Sequence, residues 1–316
     1  AYTQPEILSA DLSSLVLDLA QWGVRDPATL AFLDPPPAPA LKEANSLLGE
    51  LGALDGDGRI TTEGKSLRAL ALPPRLARMI VDSHRAGEGE AAAEIAAIIT
   101  ERGLGGDSVD LEHRRDQFRR DRSQRASSAR DLARRWASQV AASEKAGPQE
   151  DLSTGLMLAY AFPDRVARNR GNGSFVLANG RGAAVEQTSS LARAPYIAIG
   201  EMTGTAASGR ILLAAQITEG DIERHFAEHI ESADEISFDR GAMALRARRK
   251  RVLHAITLSE ATLAVSPSED TARILIDSRE TFQAMQQFSQ EFTPNVVQRL
   301  DHYQGERPLF DLYGVE

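Results

Sequence analysis

The feature of this chain that most constrains its fold is a change in hydrophobic period near residue 150. Up to about residue 146, apolar residues recur every three or four positions, as they do in amphipathic helices. Leu12, Val16 and Leu19, for example, fall on one helical face. Beyond residue 150, short apolar runs separated by glycine-containing turns predict strands as far as about residue 265. This order of elements predicts an α+β protein with more than one domain.

The composition excludes several kinds of protein. With 316 residues, the chain has room for two or three domains that each bury a core. It contains no cysteine, which excludes disulfides, thiolate catalysis and cysteine-based zinc sites. No apolar run is long enough to span a membrane, and the first residues do not read as a signal peptide. We therefore expect no contact with a membrane and a cytoplasmic location.

The charge of the chain is unevenly distributed. The net charge is −9, yet residues 113–135 contain nine arginines against three aspartates, so the remainder carries about −15. Guanidinium groups match the geometry of phosphates and stay charged, which makes this segment the best candidate for contact with nucleic acid. Two other interpretations stay open: a solvated helix laced with Asp116 and Asp121, or a surface that docks against the acidic remainder.

The helix-rich half is predicted to form two domains. Residues 1–85 have a winged-helix pattern of three helices, a hairpin wing with its turn at residues 55–58, and a closing helix. The helices of this domain are predicted at residues 11–22, 28–33, 39–51 and 74–85. Residues 86–148 are predicted to be a helical bundle, in which a buried helix at 91–100 precedes the arginine-rich segment and a helix at 126–142.

The strand-rich half, residues 149–268, is predicted to be a small antiparallel barrel or sheet. One hairpin turns at Asn179-Gly180, and a lone helix interrupts the strands at residues 221–230. Residues 269–316 return to a short helical tail. An amphipathic helix is predicted there at 280–292.

Long, ordered stretches of residues 1–265 resemble one family. They include PEILSADLSSLVLDLAQWG, DPATLAFLDPPP, LGALDGDGRITTEGKSLRALALPPRLARMI, LAYAFPDRVARNRGNGSFVLANGRGAAV and RRKRVLHAITLSE. This wording is similar to the C-terminal half of HrpB-type ATP-dependent RNA helicases of the DEAH class. The resemblance implies a winged helix, a helical bundle and an OB-like β domain that pack on a tandem motor and line the exit path of single-stranded RNA. It also implies that ATP and magnesium serve the motor, outside these residues, and that this chain needs no cofactor of its own.

The tail resembles a different family. Residues 272–316, and most specifically GERPLFDLYGVE at the end, look like a segment of the ribonuclease E/G family. In that family the segment precedes a metal-dependent nuclease domain, whose magnesium-binding carboxylates lie beyond the match. The junction between the two resemblances falls within about residues 259–276. A natural fusion and a misjoined reading frame both stay open.

Twelve basic residues in three groups are the predicted RNA contacts. The groups are the arginine-rich segment, the PDRVARNR sequence before the first hairpin, and a basic strand near residue 248. The residues are Arg114, Arg115, Arg119, Arg120, Arg122, Arg125, Arg165, Arg168, Arg170, Arg246, Arg248 and Lys250. The last three would share one face of an extended strand. A structural ion-pair network for the second group, and an edge strand guarded by charge for the third, remain open.

Two short matches to catalytic patterns are interpreted as structural. GRITTEGKS resembles a phosphate-binding loop, but Gly58 and Gly64 are separated by five residues where that loop needs four, so a wing turn is expected. His225 to His229 match H-x-x-E-H, with both histidines on one face of the predicted helix. Acidic neighbours favour exposed histidines instead of zinc ligands. No catalytic residue and no metal site is predicted.

The function that these patterns predict is the non-motor region of an ATP-dependent RNA helicase, which binds single-stranded RNA and docks the motor domains. Two alternatives remain: a scaffold that braces the motor without touching RNA, and part of a fused ribonuclease E/G-like enzyme. A winged-helix DNA regulator is disfavoured because the candidate recognition helix at 39–51 carries Glu43 and Glu50.

Overall fold

The computed structural model describes residues 5–265, apart from residue 9, residues 206–207 and residues 240–243. The chain divides into two compact units, Ala1–Ala227 and Glu228–Glu316. The helical tail predicted for residues 269–316 lies outside the described residues. Within the described part, no helix is both long and apolar enough to cross a membrane.

The first unit begins with a series of helices and ends with one more. They are α1 (Ser13–Gln21), α2 (Ala38–Glu50), α3 (Thr62–Ala69), α4 (Pro74–Arg85), α5 (Gly89–Thr100), α6 (Leu111–Arg120), α7 (Gln124–Ser143), α8 (Thr154–Ala161) and α9 (Glu219–His225). The short helix predicted at residues 28–33 is only a 3₁₀ turn, Pro27–Thr29. Its prediction was wrong because Leu30 and Leu33 are exposed, so a longer helix here would bury no apolar face.

The hairpin wing predicted after α2 is also reduced. Leu54 and Ile60 form an isolated antiparallel bridge around the turn, and the chain then enters α3 instead of a second strand. Thr61 begins this helix, because its hydroxyl accepts a hydrogen bond from the backbone N–H of Gly64 at 2.9 Å. Leu67 is fully buried on the inner face of α3, so packing favours the helix.

Helix α5 lies at the centre of the helical part and is buried, as predicted. It packs against α4, α6, α7 and α8. Ala92, Ile95 and Ala96 have no exposed surface, and Met79 and Ile80 of α4 are equally buried. The small alanine side chains allow several helices to approach α5 at once.

A closed five-stranded barrel lies between α8 and α9 in the first unit. Its strands are β1 (Val166–Gly171), β2 (Ser174–Leu177), β3 (Gly182–Ala184), β4 (Tyr196–Thr205) and β5 (Ser208–Gln216), in the order β1-β2-β3-β5-β4. The predicted hairpin at Asn179-Gly180 is confirmed as the β2–β3 turn. Phe175, Leu177 and Ile197 belong to the barrel core.

The second unit contains an antiparallel sheet of three described strands. They are β6 (Ile230–Asp239), β7 (Ala244–Leu253) and β8 (Ile256–Leu263), in the order β6-β7-β8. The strands predicted within residues 149–268 therefore form two separate sheets. The basic strand is β7, which is paired on both sides. The alternative interpretation of this strand as an exposed edge was wrong.

Candidate nucleic-acid interface

Helix α6 presents the first half of the arginine-rich segment. Asp110 caps its start by accepting a hydrogen bond from the backbone N–H of Glu112 at 3.1 Å. The buried residues of α6 are Leu111, Arg115 and Phe118, which follow the i, i+4, i+7 spacing of one helical face. An arginine thus occupies the middle of a stripe that is otherwise apolar.

Arg115 is enclosed between three helices. Only 8% of its surface is exposed. Its Nη1 donates to the Thr154 hydroxyl at the start of α8 at 3.0 Å, and its Nε lies 3.5 Å from Glu94 Oε2 of α5. The Thr154 hydroxyl in turn donates to Glu112 of α6. These contacts give Arg115 a structural environment instead of an open surface.

The neighbouring arginines are tied to the protein to different degrees. Arg114 donates from Nε to the Gly106 carbonyl at 2.9 Å. Arg119 and Arg125 form ion pairs with Glu94 at 2.8 Å and Glu101 at 3.1 Å, although both arginines keep about half of their side-chain surface exposed. Such half-exposed pairs exchange readily with other anions because water screens them.

The end of α6 and the start of α7 form a projecting basic surface, the arginine corner, which consists of Arg119, Arg120, Arg122 and Arg125. Arg120 has 82% of its side chain exposed and lies 3.9 Å from Asp116 Oδ2. Arg122 is exposed in the link between the two helices. The hydroxyl of Ser123 caps α7 through the N–H of Ala126 at 3.2 Å and fixes this link.

The three arginines of PDRVARNR are separated by the fold. Arg165 donates from Nη1 to the Gly200 carbonyl at 3.0 Å, and its guanidinium lies 4.7 Å from the centre of the Phe162 ring. Burial lowers the pKa of Arg165, although the nearby Asp164 opposes this shift. Arg168 lies on β1 opposite Tyr196 of β4 and is partly exposed, whereas Arg170 near the end of β1 is exposed. The ion-pair alternative therefore describes Arg165 best.

The basic strand of the second unit is balanced by acidic partners. Arg246 and Arg248 pair with Asp239 at 2.7 Å and Glu260 at 3.0 Å. Lys250 pairs with Glu235, and this hydrogen bond raises the pKa of Lys250. Arg246 and Arg248 also line an open depression of about 440 Å³ together with Glu260 and Thr262. Each cation has its own carboxylate, so this face carries little excess charge.

The H-x-x-E-H match does not lie on one helix. Helix α9 ends at His225, and His229 belongs to the following 3₁₀ turn, so the predicted shared face was wrong. The hydrogen-bonded capping box at Thr218 starts α9 two residues before the predicted position. His225 is not an exposed histidine either, because only 15% of its side chain is open. Its Nδ1 lies 2.9 Å from the Tyr160 hydroxyl, whose pKa is raised by burial.

Neither short match forms a catalytic site in the described part of the chain. Residues 5–265, outside the gaps given above, contain no group of three His, Cys, Asp or Glu side chains placed to hold a metal ion. GRITTEGKS runs from the bridge at Ile60 into α3, so its glycines do not form a loop around a phosphate.

An exposed apolar segment lies between α1 and α2, where the sequence patterns predict no surface feature. Trp22 has 73% of its surface exposed, Leu33 has 99% and Leu30 has 39%. Single exposed apolar residues are common on protein surfaces, whereas three large ones close together in the sequence form a candidate contact surface. In the structure Trp22 lies beyond the buried residues of α1, which end at Ala20.

Comparisons with known proteins show that the chain is homologous to part of a DExH-box RNA helicase. One relative is the ATP-dependent RNA helicase HrpB of Escherichia coli (strain K12), which is 34% identical over 273 residues, or 85% of this chain. That match spans only 32% of the relative, so the chain covers about a third of its length. The predicted resemblance to HrpB-type helicases is confirmed.

Solved structures agree with this similarity. The crystal structure of the E. coli DExH-box NTPase HrpB matches 88% of this chain and 34% of its own, with a TM-score of 0.72 and 31% identity. A crystal structure of the E. coli DEAH/RHA helicase HrpB matches the same shares, with a TM-score of 0.69 and 31% identity. The ribonuclease E/G family model matches residues 206–316, a range that begins upstream of the predicted junction.

Proposed function

We propose that this chain is the accessory region of an RNA helicase, which binds single-stranded RNA through phosphate contacts and docks the motor domains. The observation that carries the proposal is the arginine corner, where Arg120 has 82% of its side chain exposed. In this proposal ATP and magnesium serve the motor, this chain needs no cofactor, and the protein works in the cytoplasm.

The contacts at the corner would be made to phosphates and not to bases. Guanidinium groups bind phosphate oxygens in a bidentate manner, and their charge does not depend on pH in the physiological range. Base stacking needs an accessible aromatic ring. The aromatic residues of α6 and α7 are Phe118 and Trp136, and both are buried. Binding at the corner should therefore be insensitive to base sequence.

The barrel supplies a second argument for RNA. Five strands closed in the order β1-β2-β3-β5-β4 resemble an OB-like fold, whose first turn and second and third strands contact single strands in many proteins. Arg170 lies just before this first turn and is exposed. We propose that Arg168 and Arg170 extend the track from the barrel. Helices α1 to α4 with their reduced wing form the winged-helix-like part.

The basic strand β7 could bind RNA only by exchanging partners. Arg246, Arg248 and Lys250 would have to release Asp239, Glu260 and Glu235 before they could bind phosphates. Such an exchange brings less free energy than binding to a more exposed and weakly paired cation such as Arg120, which lies 3.9 Å from Asp116 Oδ2. We therefore assign the main contacts to the first unit.

Docking of the motor is assigned to the apolar segment at Trp22, Leu30 and Leu33. The relative is about three times longer than the matched region, and the name of that relative describes an ATP-dependent RNA helicase. A motor surface would remove these side chains from water, at about 25 cal/mol per Å² of buried apolar area.

The test of RNA contact is fluorescence anisotropy of a labelled single-stranded RNA across a series of salt concentrations. Removing two corner arginines in the double variant R120A/R122A should weaken binding and flatten the salt dependence. The slope of log K against log salt should become shallower by about 0.7 for each phosphate that is no longer bound.

A matched control removes the same charge elsewhere. Arg59 and Arg224 are exposed and lie outside the twelve predicted contacts. The double variant R59A/R224A should keep the wild-type slope, because it changes net charge without removing a contact. Equal slopes for the two double variants would show that the corner is not the site.

The family match over residues 206–316 favours one second candidate, a fused protein that contains a ribonuclease E/G-related segment. The test is long-read sequencing of the transcript that encodes residues 259–276. A single uninterrupted frame that continues into a nuclease domain would support the fusion. A frame break within these residues would support a misjoined sequence and remove this candidate.

A further inference from the structure

The buried position of Arg115 raises the question of what an arginine does inside a helical core. A leucine would complete the stripe between Leu111 and Phe118 without any cost of desolvating a charge. Arg115 instead makes directed bonds to Thr154 of α8 and approaches Glu94 of α5. Directed bonds fix the rotation and the height of α6 on its neighbours, which apolar contact alone fixes less sharply.

The two halves of α6 are held differently. At its start, Val109 accepts a backbone bond from Ala214 of β5 at 2.9 Å, and Asp110 accepts from the Ser190 hydroxyl at 2.9 Å. Arg115 holds the middle of the helix. In the last turn Phe118 is buried, whereas Arg119 and Arg120 on the same turn face solvent. A small rotation about the middle would thus displace the arginine corner.

Glu94 links the buried and the exposed arginines. Its Oε2 lies 3.5 Å from Arg115 Nε and 2.8 Å from Arg119. Arg115 and Arg119 are one helical turn apart, so a single carboxylate of α5 sets the position of both. The inner arginine keeps Glu94 in place for the outer one.

We propose that Arg115 is a positioning residue for the arginine corner: it aligns α6 through α5 and α8 and does not itself contact RNA. This inference rests on the proposed RNA-binding function. It differs from the sequence prediction, which grouped Arg115 with the RNA contacts. It also assigns the same role to Thr154, which no sequence pattern marks as functional.

The test uses the full chain with the variants R115M and T154V, with T154S as the control. The salt series with single-stranded RNA is repeated for each variant, well below its melting temperature. We expect R115M and T154V to weaken binding at every salt concentration while the slope stays at the wild-type value. T154S keeps the hydroxyl and should bind as the wild type does. The variant R120A/R122A, in contrast, should make the slope of log K against log salt shallower.

The double variant R115M/T154V adds a thermodynamic check. If both residues act through one network, its loss of affinity should be smaller than the product of the two single losses. If R115M does not fold, T154V alone tests the proposal. We expect T154V to fold, because Thr154 lies at a helix start and its substitution keeps the side-chain volume.

Each contrary result has a separate meaning. A reduced slope for R115M together with a wild-type slope for T154V would show direct contact of Arg115 with phosphate and overturn the positioning role, because T154V disturbs the same network without removing a charge. Wild-type affinity for both T154V and R115M would overturn it as well. If the wild-type chain binds no RNA at low salt, the proposed function fails first and the positioning role falls with it.

Discussion

The Nη1 of Arg75 donates to Asp164 Oδ1 at 2.7 Å and joins α4 to the residues that enter the barrel. The same nitrogen donates to the Ala161 carbonyl at 3.1 Å. The guanidinium groups of Arg75 and Arg165 both lie against the ring of Phe162, at 5.4 and 4.7 Å from its centre. These contacts connect the helical part and the barrel within the first unit.

Removing this connection should destabilise the first unit. Only 15% of the Arg75 side chain and 27% of the Asp164 side chain are exposed, so water screens their bond weakly. We expect R75A to lower the free energy of unfolding by about 2 kcal/mol, the usual value for a hydrogen bond to a charged group. Urea unfolding followed by circular dichroism measures this change.

The exposed pair Arg68–Asp18 provides the control for that experiment. Its side chains are 39% and 50% exposed, and the expected cost of R68A is at most about 1 kcal/mol. If R68A cost as much as R75A, the bond to Asp164 would have no special role in joining α4 to the barrel.

Helix α8 approaches the barrel closely at a glycine. A Cβ atom on Gly155 would lie 2.0 Å from the carbonyl oxygen of Gln216, which belongs to the backbone of β5. The variant G155A should therefore lose about 1–3 kcal/mol of stability, because backbone has to shift. The matched change G49A, in α2 with no atom within 4 Å, should gain about 0.5–1 kcal/mol. Thermal melting of both variants measures these changes. A higher melting temperature for G155A would contradict the close approach of α8 to β5.

Glu63 gives the stability a defined pH dependence. Burial alone would raise its pKa, but the hydrogen bond and charge of Arg85, together with Arg78, outweigh burial and leave the pKa below its ordinary value of 4.5. A lowered folded-state pKa stabilises the protein above the unfolded value, and this contribution disappears as the pH falls through the folded value. The difference in unfolding free energy between wild type and E63Q should thus be largest above pH 4.5 and shrink below it.

Asp82 is the reason for measuring a difference between variants. Burial raises the pKa of Asp82, so its effect on stability has the opposite sign and masks that of Glu63 in the wild type alone. Asp82 is present in both proteins and its contribution largely cancels. A difference that grows as the solution becomes more acidic would contradict the role given to Glu63.

Docking of the motor should change the fluorescence of Trp22. The chain contains two tryptophans, and Trp136 is only 8% exposed whereas Trp22 is 73% exposed. Adding the remaining part of the HrpB relative should shift the emission to shorter wavelength and reduce its quenching by iodide. The variant L33A should weaken this association and leave the melting temperature unchanged, because Leu33 is 99% exposed. An unaltered Trp22 spectrum at saturating motor would exclude this surface from docking.

Elements with local signals could be predicted from the sequence. The buried helix α5 follows from its alanine and isoleucine pattern, and the β2–β3 hairpin follows from Asn179-Gly180. Helix α3 was missed because the glycine-rich turn at residues 55–58 gave a strong hairpin signal, while the cap at Thr61 was overlooked. A turn signal identifies the turn itself and does not determine whether a strand or a helix comes after it.

The candidate site was harder to predict, because its partners are distant in sequence. Arg115 has the same local pattern as Arg114 and Arg119, and its burial depends on Thr154, which is 39 residues away. Arg165 likewise depends on Gly200, at a separation of 35 residues. Charge counting identifies a basic segment, but only tertiary contacts divide it into buried residues and exposed ones.

The salt dependence of binding to an unstructured single-stranded RNA, measured for the wild-type chain and for R120A/R122A, decides whether the arginine corner contacts phosphates. Phosphate contact there predicts binding that weakens linearly in log K against log salt, with a slope of about −0.7 for each contact. It also predicts equal affinity for two RNAs of the same length and different base sequence. Absence of binding at low salt, or binding that does not change with salt, would contradict RNA contact and leave a bracing role without RNA.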